Sequence, residues 1–137
     1  MVIEEAIYTY LSNHAGLTAL VSTRIHPLIM PQSTVLPAVT FSKVSGPRVH
    51  AMQQDAGLAY PRFQVSCWGA TYKSAKDVAA QVRAALQDFK GTMGGVGGVV
   101  VSGVFIQDEN DLYEPGTQVY HIALDFVIWH EEGVTAI

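Results

Sequence analysis

The stretch QVYHIALDFVIWH, residues 118–130, constrains the fold of this chain more than any other segment. Its side chains alternate between an apolar face and a mixed face, and a period of two is typical of a β-strand that lies against a core on one side. The chain must therefore contain a sheet with one buried face. The apolar face consists of Tyr120, Ile122, Leu124, Phe126 and Ile128.

Three further segments predict strands that join this one. AVTFSKVS at 38–45 and RFQVSCW at 62–68 alternate in the same way, and VVVSGVFIQ at 99–107 is a continuous apolar run bounded by turn residues. The acidic stretch that follows, DENDLYEPGT, predicts a solvated turn. GPRVHAMQQDAGLAYP at 46–61 lacks a clear period, and we expect it to form a long interface loop between two antiparallel strands.

Two segments show helical spacing of apolar residues. The first is 3–14, which we expect Gly16 to stop, and LTALV then predicts a short helical turn. The second is 74–89, for which Ser74 is the predicted N-cap. Between the first helix and the first strand lies RIHPLIMPQSTVLP, whose three prolines favour an irregular connector.

These elements predict a single α+β domain over residues 1–137. Its antiparallel sheet has four strands or slightly more, and two main helices pack on one face. Hydrophobic residues make up 49% of the chain and charged residues only 15%, below the roughly 25% of ordinary soluble domains. Such a composition favours surface that is hidden against a partner, and we expect a ring-forming oligomer or a part of a larger assembly.

The charges are unevenly distributed along the chain. All eight Lys and Arg residues lie between residues 24 and 90, whereas residues 91–137 contain seven carboxylates and no Lys or Arg. A folded monomer with this sequence presents a basic side and an acidic side, which suits head-to-tail contacts, or else strand pairing interleaves the segments and cancels the asymmetry. The sequence leaves both alternatives open.

The mixed face of the predicted sheet carries both tryptophans, Trp68 and Trp129, among short polar side chains. Aromatic residues are enriched where proteins contact one another, so this face is a candidate interface. The alternative is that the chain's own loops cover both tryptophans.

No motif in the sequence indicates catalysis or a cofactor. Cys67, the only cysteine, shares a face with Phe63 and Val65 and is expected to be a buried structural thiol in a reducing compartment. The histidines have no metal-ligand spacing, GTMGGVGG matches no phosphate-binding loop, and the cations are too scattered for a nucleic-acid stripe. We therefore expect no enzyme, no catalytic residue, no metal and no cofactor. No apolar run is long enough to cross a bilayer, and the acidic first residues do not resemble a signal peptide.

The order and spacing of four segments resemble the small tail-completion proteins of long-tailed bacteriophages, also called tail terminator or tail-to-head joining proteins. The resemblance covers almost the whole chain. The segments are IEEAIYTYLSNHAGLTALVSTRIHP, LPAVTFSKVSG, RFQVSCWGATYKSAKDVAAQVRAAL and GTQVYHIALDFVIWHEE.

This resemblance implies a structural virion protein at the junction of tail and neck, made in the bacterial host cytoplasm. Such proteins form a hexameric ring that caps the tail tube, stops its polymerisation and docks to the head connector. The expected partners are therefore other copies of the chain, the tail tube protein and a head-completion protein. DNA passes through the ring without specific binding, and no membrane is involved.

If the chain is a tail-completion protein, two sets of residues are candidates for its contacts. The acidic set faces the channel or its rim, where it repels phosphates, and consists of Asp108, Glu109, Asp111 and Glu114. The interface set consists of Arg48, His50, Met52, Trp68 and Trp129.

Three other functions compete with this one. The first is another neck component, such as a head-completion or adaptor protein, which differs in its position in the particle. The second is a small-molecule-binding or enzymatic α+β domain, which requires a pocket with converging polar groups. The third is a nucleic-acid-binding module, against which the net charge of −4 argues.

Overall fold

The computed structural model describes residues 2–50 and 55–131. Within these residues the helices are α1 (Ile3–Ser12), α2 (Ala15–Val21) and α3 (Tyr72–Leu86). The strands are β1 (Ile25–Pro27), β2 (Ala38–Ser45), β3 (Arg48–His50), β4 (Asp55–Ala59), β5 (Arg62–Gly69), β6 (Gly91–Met93), β7 (Val99–Glu114) and β8 (Val119–Glu131).

Strand β8 lies in the middle of the sheet. It pairs antiparallel with β5 on one side and with β7 on the other, and β2 adds to β5 to give the predicted antiparallel set of four. In the described residues the sheet is larger than this, because β1 joins β2 in parallel, β6 joins β7, and the β3–β4 hairpin reaches the end of β8. The predicted mixed α+β class is confirmed, with a third helix and extra strands.

The core lies between the helices and one face of the sheet. The apolar face of β8 is buried as its alternation predicts, and it meets the matching face of β5, where Phe63 pairs with Phe126 and Cys67 with Ile122. The Cys67 side chain is 0% exposed, and this burial raises the pKa of its thiol well above the usual value. Cys67 is therefore a core residue, as predicted. Helix α3 covers these strands with Ala75, Val78, Ala79, Val82, Ala85 and Leu86.

Helix α3 begins earlier than its sequence pattern suggests. Thr71 is the N-cap, and its Oγ1 accepts a hydrogen bond from the Ser74 backbone N–H at 3.1 Å. The predicted cap at Ser74 is wrong because Tyr72 and Lys73 already belong to the first turn. Phe89 lies beyond the helix end and packs edge-on against Tyr10 at 4.7 Å.

Gly16 does not stop a helix. Helix α1 ends at Ser12, where the Asn13 and His14 N–H groups donate to the carbonyls three residues earlier, those of Tyr10 and Leu11, and Gly16 is the second residue of α2. A Cβ at Gly16 would lie 2.2 Å from Oε1 of Gln81 on α3. That oxygen is the end of a flexible side chain that can rotate away, so this contact alone does not require a glycine at position 16.

Strand β7 continues through the stretch expected to be an acidic turn. Its register shifts between Ile106 and Asp108, and it then pairs with β8 as far as Glu114. The segment 46–61 also differs from expectation, because β3 and β4 form a hairpin rather than a loop. We call residues 46–60 the arm, and its residues 51–54 lie outside the described part of the chain.

Candidate functional site

The face of the sheet opposite the helices, called here the outer face, carries the polar and aromatic side chains that the sequence placed together. The strand registers confirm this grouping: Thr40 lies opposite Ser66, and Trp68 lies opposite His121. Phe105 and Leu112 of β7 add to this face and are 49% and 48% exposed. The outer face therefore combines half-buried aromatic rings with exposed apolar groups.

Both tryptophans of the outer face have partners within the chain. The Trp68 ring stacks on His121 with centroids 4.0 Å apart, and its Nε1–H donates to Thr40 Oγ1 at 3.0 Å. Trp129 stacks on Tyr60 of the arm at 4.4 Å. Each indole is thus held in one orientation by its own chain and still leaves part of its surface open.

The sequence places His121 on this face but does not indicate its burial or its contact with Trp68. Its Nε2 is buried and has no hydrogen-bond partner among the described residues. Burial lowers the pKa of this imidazole, and the nearby Glu114 carboxylate opposes that shift. The neutral ring, stacked on Trp68, is therefore the form that the fold favours.

The four acidic residues predicted to act together are divided between the two faces of the sheet. Asp108 and Glu114 lie on the outer face, where Asp108 is paired in register with Asp125. Glu109 and Asp111 lie on the helix side, where Lys76 Nζ approaches them at 3.5 and 2.8 Å.

The contact between β7 and α3 holds the far half of the long strand against the helix. The Tyr72 hydroxyl donates to Asp111 Oδ2 at 2.6 Å, beside the Lys76 ion pair. These two donors lower the pKa of the Asp111 carboxyl, with Lys76 contributing most. Glu109 and Asp111 therefore have a structural partner that the sequence did not indicate.

Ion pairs within the fold join segments that carry opposite charge in the sequence. Lys76 pairs with Asp111, Arg62 pairs with Asp125 at 3.1 Å, and Lys43 pairs with Glu4 at 3.4 Å. Strand pairing brings Arg62 to Asp125, as the second of the two alternatives predicts, whereas the other two ion pairs join a helix to a strand. The uneven charge along the sequence therefore does not by itself indicate a head-to-tail contact between subunits.

The remaining interface candidates lie on the arm. Arg48 begins β3, and its Nη1 donates to the Gly46 carbonyl at 3.4 Å. His50 is the last residue of β3 and is paired in register with Asp55. Met52 lies outside the described residues.

Two kinds of feature are absent from the described residues: a metal-binding cluster and a membrane-spanning helix. Residues 2–50 and 55–131 contain no group of three or more His, Cys, Asp or Glu side chains placed to hold a metal ion. No helix in the same ranges is long and apolar enough to cross a membrane.

A small α+β domain with a partly apolar outer face and a hairpin arm paired to its central strand is typical of structural interaction proteins. The sequence matches the tail completion protein gp17 family over residues 5–131, and the chain belongs to that family. Membership identifies a structural component of a phage-type virion tail, and it confirms the resemblance seen in the sequence.

The fold is also found in a solved particle. A chain from the virion of a native gene transfer agent particle superposes with a TM-score of 0.78 at 21% identity. The match covers 94% of this chain and 94% of that chain. At this identity the likeness establishes a shared fold. A comparison with curated proteins finds no match.

Proposed function

We propose that this protein caps the head-proximal end of the tail tube, ends tube polymerisation and joins the tail to the head connector. The observation that carries the proposal is membership of the tail completion family over residues 5–131. The protein acts by contact rather than catalysis, at the junction of tail and neck.

In this proposal six copies form a ring around the DNA channel. The exposed apolar side chains of the outer face, Phe105 and Leu112, supply surface that a neighbouring subunit can bury. Trp68 and Trp129 contribute to the same contact, because their stacked rings are already ordered and lose little side-chain entropy on binding.

The arm is the element proposed to contact the neighbouring ring, either the tail tube protein or the head connector. Arg48, His50 and Met52 are its candidate contact residues. The arm lies at the end of β8, where Leu58 is paired in register with Glu131. Its hairpin thus extends from the central strand of the sheet.

The channel is proposed to be lined by carboxylates of the β7–β8 hairpin. Asp108 and Glu114 accept hydrogen bonds from neighbours on that hairpin, namely the Glu109 N–H at 2.9 Å and the Thr117 hydroxyl at 3.2 Å. Both carboxylates are exposed. An acidic lining repels DNA phosphates, so DNA slides through without specific binding. In this proposal Glu109 and Asp111 lie at the rim of the channel, and the ammonium group of Lys76 partly neutralises their charge.

The test is deletion of this gene from the genome that encodes the particle, followed by negative-stain electron microscopy of the lysate. We expect filled heads beside separate tails, some of them abnormally long, and rescue by the chain supplied from a plasmid. Separate tails of normal length would assign the chain to the head side of the neck, as a head-completion or adaptor protein. Normal infectious particles would reject both roles.

A further inference from the structure

The far half of strand β7 forms an open edge of the sheet. One side of β7 pairs with β8 along its length, whereas in the described residues β6 pairs with the other side only from Val99 to Val101. The Asp88 N–H donates to the Val104 carbonyl at 3.0 Å, so the segment after α3 covers the edge as far as Val104. Residues 107–114 are all exposed, and no described strand pairs with this side of them.

Two hydrogen bonds show which main-chain groups point to the open edge. The Glu114 carbonyl accepts an N–H of the turn into β8 at 2.7 Å, so Glu114 faces β8. The Glu109 N–H donates instead to the Asp108 side chain at 2.9 Å, which places it away from β8. Successive residues of a strand alternate in direction, and the register has no shift between Asp108 and Glu114. The N–H and C=O groups of Asp111 and Tyr113 therefore also point to the open edge.

The side chains along the open edge are mostly acidic. Its four carboxylates are those of Asp108, Glu109, Asp111 and Glu114. In the described part of the chain, Lys76 is the one cation that pairs with any of them. Leu112 and Tyr113, 48% and 47% exposed, add apolar area. Opposite charges across a strand pair stabilise it, so this edge favours a strand that carries cations and aliphatic groups.

A second copy of this chain supplies no matching strand among its described residues. Another β7 edge would place carboxylates opposite carboxylates, which destabilises a strand pair and keeps free copies apart. The other strands at the limits of the sheet, β1, β3 and β6, are each three residues long, and β1 includes Pro27, which has no N–H to donate. The occupant of the edge is therefore a different protein.

We propose that the open edge of β7 binds an extended segment of another tail or neck protein, rich in lysine or arginine, which adds to the sheet as a strand. Its main chain pairs with Asp111 and Tyr113, and its cations on the helix side lie opposite Glu109 and Asp111. Asp108 and Glu114 keep pointing to the outer face. The inference rests on the proposed function only for the source of this segment.

A synthetic peptide tests the edge on the purified full-length chain. The probe is acetyl-KVKVKV-amide with a fluorophore, and the controls are the same peptide with every backbone nitrogen methylated, which keeps the charge, and EVEVEV. We expect the probe alone to bind, by fluorescence anisotropy, and to slow hydrogen exchange at the Asp111 and Tyr113 amides. No binding, equal binding of the methylated peptide, or binding that leaves those two amides unprotected would each overturn strand addition.

Two substitutions at one position separate the main chain from the side chain. Tyr113→Pro removes the N–H that points to the open edge, where proline is tolerated, and Tyr113→Thr removes the same ring but keeps the N–H. Both should retain the wild-type circular dichroism spectrum. Tyr113→Pro should bind the peptide at least about tenfold more weakly than Tyr113→Thr, equivalent to about 1.4 kcal/mol. Equal affinities would reject the edge as the site. If Tyr113→Pro does not fold, the methylated peptide on wild type decides.

Cross-linking in assembled particles identifies the protein that supplies the strand. Cys67 is fully buried, so Tyr113→Cys presents one reactive thiol. A short thiol-to-amine cross-linker should join it to a lysine in an extended segment of a protein of different mass. Val96→Cys, exposed in the turn before β7, is the control and should not give that product. An adduct between two copies of this chain, or a labelled thiol with no adduct, would overturn the proposal.

The outcomes separate this inference from the proposed function. Failure of wild type to bind the peptide would reject the strand site, while separate heads and tails after gene deletion would leave the joining role intact. Heads that stay joined to tails after the deletion would instead reject the joining role, and peptide binding would still decide whether the edge accepts a strand.

Discussion

At the scale of single residues, close backbone approaches determine which side chains the fold accepts. Gly69 ends β5 just before the turn into α3, and a Cβ there would lie 2.6 Å from the Ala75 backbone nitrogen. That neighbour is main chain and cannot rotate away. Sequence alone marks Gly69 as a turn residue, but the contact that requires it appears only when α3 is packed on the sheet.

Gly69→Ala should therefore destabilise the protein by about 1–3 kcal/mol, since the start of α3 must shift to admit the methyl group. Urea unfolding followed by circular dichroism measures the change. The matched control is Gly116→Ala, because a Cβ at Gly116 meets nothing within 4 Å. It should stay within about 0.5 kcal/mol of wild type. Equal effects at the two glycines would contradict the steric explanation.

His121 should make stability depend on pH. Burial lowers its pKa in the folded protein below the unfolded value of about 6.5, so the unfolded chain binds more protons at acidic pH. The contribution of the neutral His121 ring to the free energy of unfolding is then fully present above about pH 6.5, and it is lost as the pH falls through the pKa of the folded protein. Glu114 faces the ring and reduces the effect without reversing it, while Trp68 and Leu112 carry no charge.

The measurement is the free energy of unfolding of wild type and His121→Phe between pH 7.5 and pH 5. The phenylalanine keeps an aromatic ring beside Trp68 and cannot titrate, and other titrating groups cancel in the difference. Wild type should lose more stability than the variant as the pH is lowered. The difference in the free energy of unfolding between wild type and variant is the test. If it does not change with pH, or if it grows in favour of wild type as the pH falls, His121 is not the group responsible.

At the scale of elements, alternation predicts strands where one face is almost wholly apolar and fails where charged side chains occupy both faces. Strands β2, β5 and β8 were predicted almost to the residue because their inner faces contact the helices. The far half of β7 was not, because after the shift at Ile106 its inner side chains are Glu109 and Asp111, which contact Lys76 rather than the core.

The N-cap of α3 gives a test at this scale. Thr71→Ala removes the oxygen that accepts the Ser74 N–H and should cost about 1 kcal/mol of stability. Ser74→Ala leaves that acceptor in place and should be nearly neutral. Thermal or urea unfolding of the two variants compares them directly. A larger loss for Ser74→Ala would favour the cap originally predicted from the sequence.

The arm is the element whose removal separates folding from joining. Replacing residues 50–57 by Asn-Gly joins Val49 to Leu58, which are already paired, through a two-residue hairpin turn. When this shortened chain is supplied in place of the deleted gene, we expect it to fold but not to join phage heads to tails. His50→Ala serves as a milder variant of intact length. Normal plaque formation by the shortened chain would show that the arm tip makes no required contact.

At the scale of the whole molecule, the surfaces depend on contacts between distant segments, and this limits what sequence can predict. The outer face was predicted, because alternation along β5 and β8 fixes which side chains share it. A cleft of about 710 Å³ between the start of α1, the base of the arm and the turn into β7 was not predicted, because Glu4, Lys43 and His130 show no spacing in the sequence that brings them together. Pairing of β8 with β4 and packing of α1 against the sheet create it.

The divided acidic residues lead to a prediction for the assembled ring. Neutralising Asp108 and Glu114 together, as Asp108→Asn/Glu114→Gln, should leave assembly intact and slow DNA ejection, because the lining then repels phosphates less. The comparison is Glu109→Gln/Asp111→Asn, which breaks the contacts to Lys76 and should lower thermal stability, and which should slow ejection less than the first variant because Lys76 already partly neutralises these two carboxylates. Ejection kinetics at wild-type rate in the first variant would show that these carboxylates do not line the channel.

The position of β8 has a consequence for synthesis of the chain. Among the described strands, β8, which pairs with β4, β5 and β7, is the last to be synthesised. Until it emerges, the apolar faces of the earlier strands have no central partner, and nascent chains depend on chaperones or delay to avoid aggregation. A fragment that lacks β8 cannot complete the sheet.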